Sequence, residues 1–319
     1  MSVAWVIGSH GLLGSALRRT LQIDGTELFD LTQRFRWGDP AEFSSQIAVA
    51  MRGFAARARS ARSWEIYWAA GVGTMHSAQT ELAAETRALT ELLQQIWLAT
   101  ELHSRPGALA FASSAGAIYS GSRDFVISER SAPAPTAAYA YEKLAQEALL
   151  HAFTGSRPNL AVLAARFSTL YGPGQALSKP QGLLAHIARC VVRSSPVHIY
   201  VPLDTIRDYI AAEDAARDMV LALRRAARQE GVTTQIIASE TPTTISEIVS
   251  IFRRIARRPP KIITSASAAT ATYGPRVQFR SVVARQGSRT HRVSLLVGVA
   301  QVLEAERARF VGCKLNGNS

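Results

Sequence analysis

The chain has 319 residues, 47% of them hydrophobic and 19% charged, which suits one large α/β domain with a smaller one beside it rather than a disordered segment. No apolar run approaches the roughly 20 residues needed to span a bilayer, and residues 3–7 run straight into a glycine turn without the basic start of a signal peptide. A net charge of +12 admits anionic partners, but only four of the 36 basic residues are lysines, and no basic stripe interleaved with aromatics marks a nucleic-acid surface. An arginine-rich codon usage accounts for the charge first, an anionic substrate second, and nucleic acid last. Cys190 and Cys313 stand in no metal or redox spacing, so no metal is expected, and the cytoplasm is the expected compartment.

The first half alternates short apolar runs with amphipathic segments. Residues 4–7 read as a strand, 12–21 as a helix, 27–31 as a second strand, 40–57 as a helix opened by Pro40, and 65–70 as a third strand. Between 78 and 103 the row Leu82, Leu89, Leu92, Leu93, Ile96 marks one face of a long helix. A strand at 108–113, a helix at 137–153 and a strand at 160–167 continue the alternation, which implies right-handed crossovers and a parallel sheet. Beyond 167 a Gly/Pro loop reaches Pro180. A helix at 182–193, strands near 198–201 and 206–210, a helix at 213–228 and a strand at 234–238 follow. Thr244 with Glu247 three residues on predicts a capping box for a helix over 245–257. Residues 265–319 show less pattern, with an Ala/Ser/Thr-rich loop expected at 265–272.

Three motifs carry chemistry. Gly8-Ser9-His10-Gly11-Leu12-Leu13-Gly14 joins the first strand to the first helix. Its glycines allow a tight turn, close approach to a pyrophosphate and close helix–strand packing, and the helix start offers free N–H groups; a glycine triplet is also often only a turn. Tyr139 and Lys143 lie at i and i+4 on a helix, so their side chains share a face, and an ammonium beside a phenol favours the phenolate that removes a hydroxyl proton. A chance Tyr and Lys on an amphipathic helix is the alternative, against which the scarcity of lysines weighs. Ser113 and Ser114 close a strand at the edge where a doubly wound sheet binds ligands.

At these points the chain resembles the extended short-chain dehydrogenase/reductase family of nucleotide-sugar epimerases and dehydratases, typified by UDP-galactose 4-epimerase. The resemblance extends through Arg166-Phe167-Ser168-Thr169-Leu170-Tyr171-Gly172-Pro173-Gly174 and Thr205-Ile206-Arg207-Asp208-Tyr209-Ile210 to Asp214, about two thirds of the chain. It implies a doubly wound parallel Rossmann sheet formed by residues 1–168 and 206–240. A smaller C-terminal α+β substrate domain takes 169–205 and 241–319. It further implies Tyr139 as base, Lys143 on the nicotinamide ribose, a serine on the sugar oxygen, and Phe167 and Ser168 beside the nicotinamide. Arg207 is a candidate for the substrate diphosphate or else a surface arginine. Ala69, Ala70 and Gly71 are expected along the cofactor's middle and Asp39 at its adenine, with turn roles as the alternative. A cytoplasmic homodimer, paired through the long helix and the tyrosine helix, completes the expectation.

Two departures narrow it. The family's catalytic Ser or Thr position holds Ala115, so Ser114 takes the role with Ser113 in reserve. The acid–base pair of the dehydratases is replaced by Gly116 and Ala117, which leaves a 4-epimerase or 4-ketoreductase. The position that is acidic in NAD-preferring members holds Thr32, followed by Arg34 and Arg36, so the cofactor reading leans to NADP over NAD, while Asp30 two residues earlier suits NAD. The rival to an enzyme is a non-catalytic Rossmann protein that senses a dinucleotide or binds a partner.

Overall fold

The computed structural model describes residues 2–31, 33–71, 73–75, 77–157, 160–175, 182–265, 276–283 and 292–316. The chain begins β1 (Ser2–Ile7), α1 (Leu12–Ile23), β2 (Glu27–Phe29), α2 (Pro40–Ser60), β3 (Ser63–Trp68) and α3 (Gln79–Leu98). A 3-10 turn (Thr100–Ser104) precedes β4 (Gly107–Ser114), the short α4 (Ala115–Ile118), α5 (Ala138–Ser156) and β5 (Leu160–Phe167). Then come β6 (Thr169–Tyr171), α6 (Leu183–Arg193), β7 (Val197–Ile199), β8 (Ile206–Ala211), α7 (Ala212–Ala226) and β9 (Gly231–Ile237). The remainder is β10 (Pro242–Thr244), α8 (Ile245–Ile255), β11 (Ile262–Thr264) and α9 (Leu295–Asn316).

Six parallel strands form the main sheet in the order β2-β1-β3-β4-β5-β9. All eight residues of β5 are buried, as a strand covered on both faces requires. One face packs Ile47 and Phe54 of α2, Leu89, Leu92 and Ile96 of α3, and Leu150 of α5 against Trp5, Trp64, Leu109 and Val162. The other packs Leu13, Leu17 and Leu21 of α1 and Met219, Val220 and Leu223 of α7 against Val6, Tyr67 and Leu163. The apolar row predicted on α3 is therefore the sheet-facing side of that helix. The order reverses between β1 and β3, and the carboxyl ends of these two strands flank the crevice such sheets use for ligands.

A second core gathers Tyr171, Leu184, Ile187, Ile248, Phe252, Val299, Val302 and Leu303 from α6, α8, α9 and their short strands. The capping box forms as expected: the Thr244 hydroxyl accepts from Glu247 N and the Glu247 carboxylate accepts from Thr244 N. Sheet membership differs from the sequence reading at β8, which pairs with β6 and β10 in a three-stranded sheet, whereas α7 and β9 do rejoin the large sheet. The helix α9 falls where little pattern was visible. Of the stretch 265–272, only Ser265 lies within the described residues. No described helix is long and apolar enough to cross a membrane.

Candidate active site at the carboxyl edge of the sheet

The glycine turn is built as its residues predict. Gly8 has φ +85°, and a Cβ there would stand 2.5 Å from Ala70 N, so the turn and the Ala69–Ala70 segment touch backbone to backbone. A Cβ on Gly14 would stand 2.1 Å from Gly8 O, which only hydrogen tolerates. Gly11 N donates to Gly8 O at 3.0 Å, and no side chain caps α1, whose first N–H groups are left for an anion. Ser9, His10 and Leu12 line the partly open face of this turn, and Leu13 is buried behind it. A glycine-lined cradle at an uncapped helix start fits a dinucleotide pyrophosphate.

Beyond Ala69, Ala70 and Gly71 the segment passes Gly73, where an added Cβ would meet the Tyr139 ring at 3.1 Å. The loop that touches Gly8 thus also touches Tyr139. On α5, Lys143 is one turn below Tyr139, its ammonium 5.6 Å from the tyrosine ring centre and 5.0 Å from that of Phe111. The Lys143 Nζ donates to Gln146 Oε1 at 3.0 Å and lies 3.8 Å from Glu85 Oε2. Tyr141, two residues from Tyr139, is 60% exposed on another face of the helix.

The two serines separate. Ser114 stands close enough to Tyr139 to ease ionisation of its phenol, and its Oγ accepts from Ala117 N, which caps α4. Ser113 points into the interior and donates to Glu147 Oε1 at 2.6 Å. There the Glu147 carboxylate also accepts from Arg166 Nε at 3.0 Å and Nη2 at 2.6 Å, and Arg166 Nη1 donates to the Tyr119 hydroxyl. A Cβ added to Gly116 would meet nothing within 4 Å, so open space lies over the start of α4, next to Ser114.

Electrostatics follow from burial. Burial, then the Glu85 charge, push the Tyr139 phenol well above its ordinary value, and Ser114 pulls the other way. Burial lowers the Lys143 ammonium, against which Glu85, Glu147 and Glu142 act to keep it charged.

The other expected residues have varied surroundings. Phe167 is buried, and Ser168 is buried beside the Asp208 carboxylate. Asp208 accepts from Ser239 N, Ser239 Oγ and Thr241 N, which ties β8 to the end of β9. Arg207 is half-buried and donates to Ile206 O at 2.7 Å. Asp39 caps α2, accepting from Ala41 N and Glu42 N, so its carboxylate already has backbone partners. Thr32 lies outside the described residues, and Arg34 is exposed. The second strand ends at Phe29, so Asp30 stands at its carboxyl end, paired with Arg18 and close enough to His10 of the glycine turn to feel its charge.

Glu85 and Glu147 were not expected. Each left a signal: Glu147 extends the row Tyr139, Lys143 by four, and Glu85 interrupts the buried row of α3 between Leu82 and Leu89.

The comparisons with known proteins agree with this fold. Residues 4–236 match the model of the NAD dependent epimerase/dehydratase family. The chain belongs to that family. A dTDP-L-rhamnose 4-epimerase of Burkholderia thailandensis is 30% identical over 126 residues, which span 39% of this chain and 34% of the relative. The chain thus aligns with about a third of that curated relative's length. Among solved structures, a UDP-glucose 4-epimerase from Brucella ovis in complex with NAD has a TM-score of 0.77 at 18% identity, covering 97% of this chain and 98% of that one. RMD from Pseudomonas aeruginosa complexed with NADPH has a TM-score of 0.76 at 18% identity, covering 97% and 100%. At such identities the two structures share the fold.

Proposed function

We propose that the protein is an NAD(P)-dependent oxidoreductase of nucleotide sugars that interconverts an alcohol and a ketone at a sugar carbon, as a 4-epimerase or a 4-ketoreductase. The observation that carries this reading is the convergence of Ser114, Tyr139 and Lys143 beside the segment that touches the glycine turn. The bound dinucleotide supplies the nicotinamide that takes or returns a hydride.

The chain's own residues do the rest. Tyr139 Oη takes the proton of the sugar hydroxyl and returns it to the ketone oxygen in the reverse direction. The Ser114 hydroxyl, beside Tyr139, donates to the same sugar oxygen and holds it in line. The Lys143 ammonium favours the tyrosinate by its charge, and with one N–H on Gln146 it has donors left for a ribose hydroxyl. Phe167 and Ser168 would border the nicotinamide, and Arg207 would meet the substrate diphosphate, where a planar guanidinium suits two phosphate oxygens. Gly116 and Ala117 supply neither acid nor base, so elimination of water is not part of the reading.

Asp30 shifts the cofactor reading from NADP towards NAD. A carboxylate at the end of the second strand accepts from a ribose 2′-OH and repels a 2′-phosphate. The division into a dinucleotide domain (1–168 with 206–240) and a substrate domain (169–205 with 241–319) is supported by the two separate cores, save at β8, which pairs with β6 and β10 and lends Tyr209 and Ala211 to the second core. A homodimer is supported by the outer face of α5, where Ala138, Tyr141, Ala145, Ala148 and Ala152 are all exposed at helical spacing. The described thiol, Cys190, is unpaired, which suits the cytoplasm.

The test is a screen of nucleotide sugars with each dinucleotide in both redox states, followed by nicotinamide absorbance and product chromatography. Turnover of a nucleotide sugar is expected. Tight dinucleotide binding with no turnover of any of them would favour the sensing protein instead.

A further inference from the structure

A carboxylate stands within the proposed catalytic group and has no part in the reaction as described above. Glu85 projects from the buried row of α3, with its side chain 11% exposed. One of its oxygens accepts from Gly73 N, in the segment packed against the Tyr139 ring. The other lies 3.8 Å from Lys143 Nζ, whose side chain is 5% exposed. A buried charge is costly unless it is paired, and the Lys143 ammonium stands within reach to pair with it.

On the reading of Tyr139 as the base, we propose that Glu85 is a positioning residue, which holds the Lys143 ammonium and the Gly73 segment at Tyr139 and sets the pH range over which the pair works. Among the described residues, the charged and titratable groups around the pair are few. Tyr139 faces Glu85 from α3, Ser114 from the end of β4 and Lys143 from its own helix. Lys143 faces Glu85 from α3, the Phe111 ring from β4, and Glu142 and Glu147 from α5. Those last two carboxylates have other work: Glu147 is held by Arg166 and Ser113, and Glu142 accepts from Thr86 and from Gln79. Glu85 is therefore the carboxylate placed to tune Tyr139 and Lys143 together.

The sign is fixed by charge. A negative group raises the pKa of every neighbour, keeping Lys143 protonated and Tyr139 neutral. Glu85→Gln keeps an acceptor for Gly73 N at nearly the same volume and removes the charge. Both Tyr139 and Lys143 should then lose their protons at lower pH, by about 1–3 pH units, the usual range for a charge within ~4–6 Å. A residue that only supported the loop would lower stability or activity without moving either titration.

The experiment uses the full chain with NAD bound. Phenolate absorbance is titrated in the unsubstituted protein and in Glu85→Gln, each corrected by the same protein carrying Tyr139→Phe. The expected result is Tyr139 ionisation at lower pH in Glu85→Gln, and, where turnover is measurable, both limbs of the kcat/KM profile displaced the same way. Glu85→Asp and Glu85→Asn, equal in size and different in charge, repeat the comparison should Glu85→Gln fail to fold. A Tyr139 titration that does not move within either pair, or that is seen in neither member, would overturn the proposal. No substrate is needed for this titration, so a failure of the nucleotide-sugar reading would show separately, as absence of turnover in the unsubstituted protein.

Discussion

Loss of the Glu147 carboxylate should destabilise this fold with little change in volume. Glu147→Leu removes the acceptor of two Arg166 donors, at 3.0 and 2.6 Å, and of the Ser113 hydroxyl at 2.6 Å. Arg166 is 8% exposed, so its guanidinium cannot turn to water. Leaving one member of a buried ion pair typically costs about 3–5 kcal/mol. At about 2.1 cal/mol/K per residue, unfolding 319 residues has an entropy near 0.7 kcal/mol/K, so the melting temperature should fall by roughly 4–8 °C. Differential scanning calorimetry on the single variants Glu147→Leu and Arg166→Met and on the double variant measures this. The double variant should recover much of the loss, because it leaves no unpaired charge inside. Glu147→Leu melting within a degree or so of the unsubstituted protein, or a double variant less stable than both singles, would refute the reasoning.

Two further outcomes follow from the site and its surface. NAD should protect the protein against heat more than NADP, with about 2.7 kcal/mol gained at 100 times the dissociation constant; Asp30→Ala should narrow or reverse the difference, since it removes the carboxylate and frees Arg18 for a 2′-phosphate. Greater protection by NADP in the unsubstituted protein would contradict the role given to Asp30. Light scattering should find twice the 34.5 kDa of one chain, and Tyr141→Arg, on the exposed face of α5, should reduce it to one chain; a monomer from the outset would remove the dimer from the account.

Much of the sheet domain was legible because its elements carry strong periodic signals. Residues 160–167 were read as a strand and are β5, and the row from Leu82 to Ile96 did mark the buried face of α3. The helix α9 was missed because its apolar residues do not keep to one face: Val299 and Val302 are buried while Val297 and Val311 are exposed. The strand β8 has an apolar pattern that suits either sheet, and only its pairing with β6 and β10 decides. Within the site, spacing put Tyr139 and Lys143 on one helix face and the glycines in one turn, as the structure has them, while their proposed roles came from the family resemblance. The choice between Ser113 and Ser114 could not be read from spacing, because alternation along β4 sends one hydroxyl inward to Glu147 and the other to Tyr139, and no local pattern says which. Thr32, taken for the cofactor position by counting from Gly14, lies outside the described residues, and Asp30 is the described residue just beyond the strand, which ends at Phe29. Glu85 went unread because its partners, Gly73 and Lys143, lie 12 and 58 residues away in sequence.

The central claim is that Tyr139 is the base of a nucleotide-sugar oxidoreductase, and Tyr139→Phe tests it most directly. The substitution keeps the ring against Gly73 and over Lys143 and removes only the hydroxyl, so folding and dinucleotide affinity should be retained. Turnover of the best nucleotide sugar from the screen should fall by about 10²–10⁴-fold, the usual loss for a positioned proton-transfer group. Tyr141→Phe, on the exposed face, is the control and should change little. Near-normal turnover in Tyr139→Phe, or a larger loss in Tyr141→Phe, would contradict the assignment.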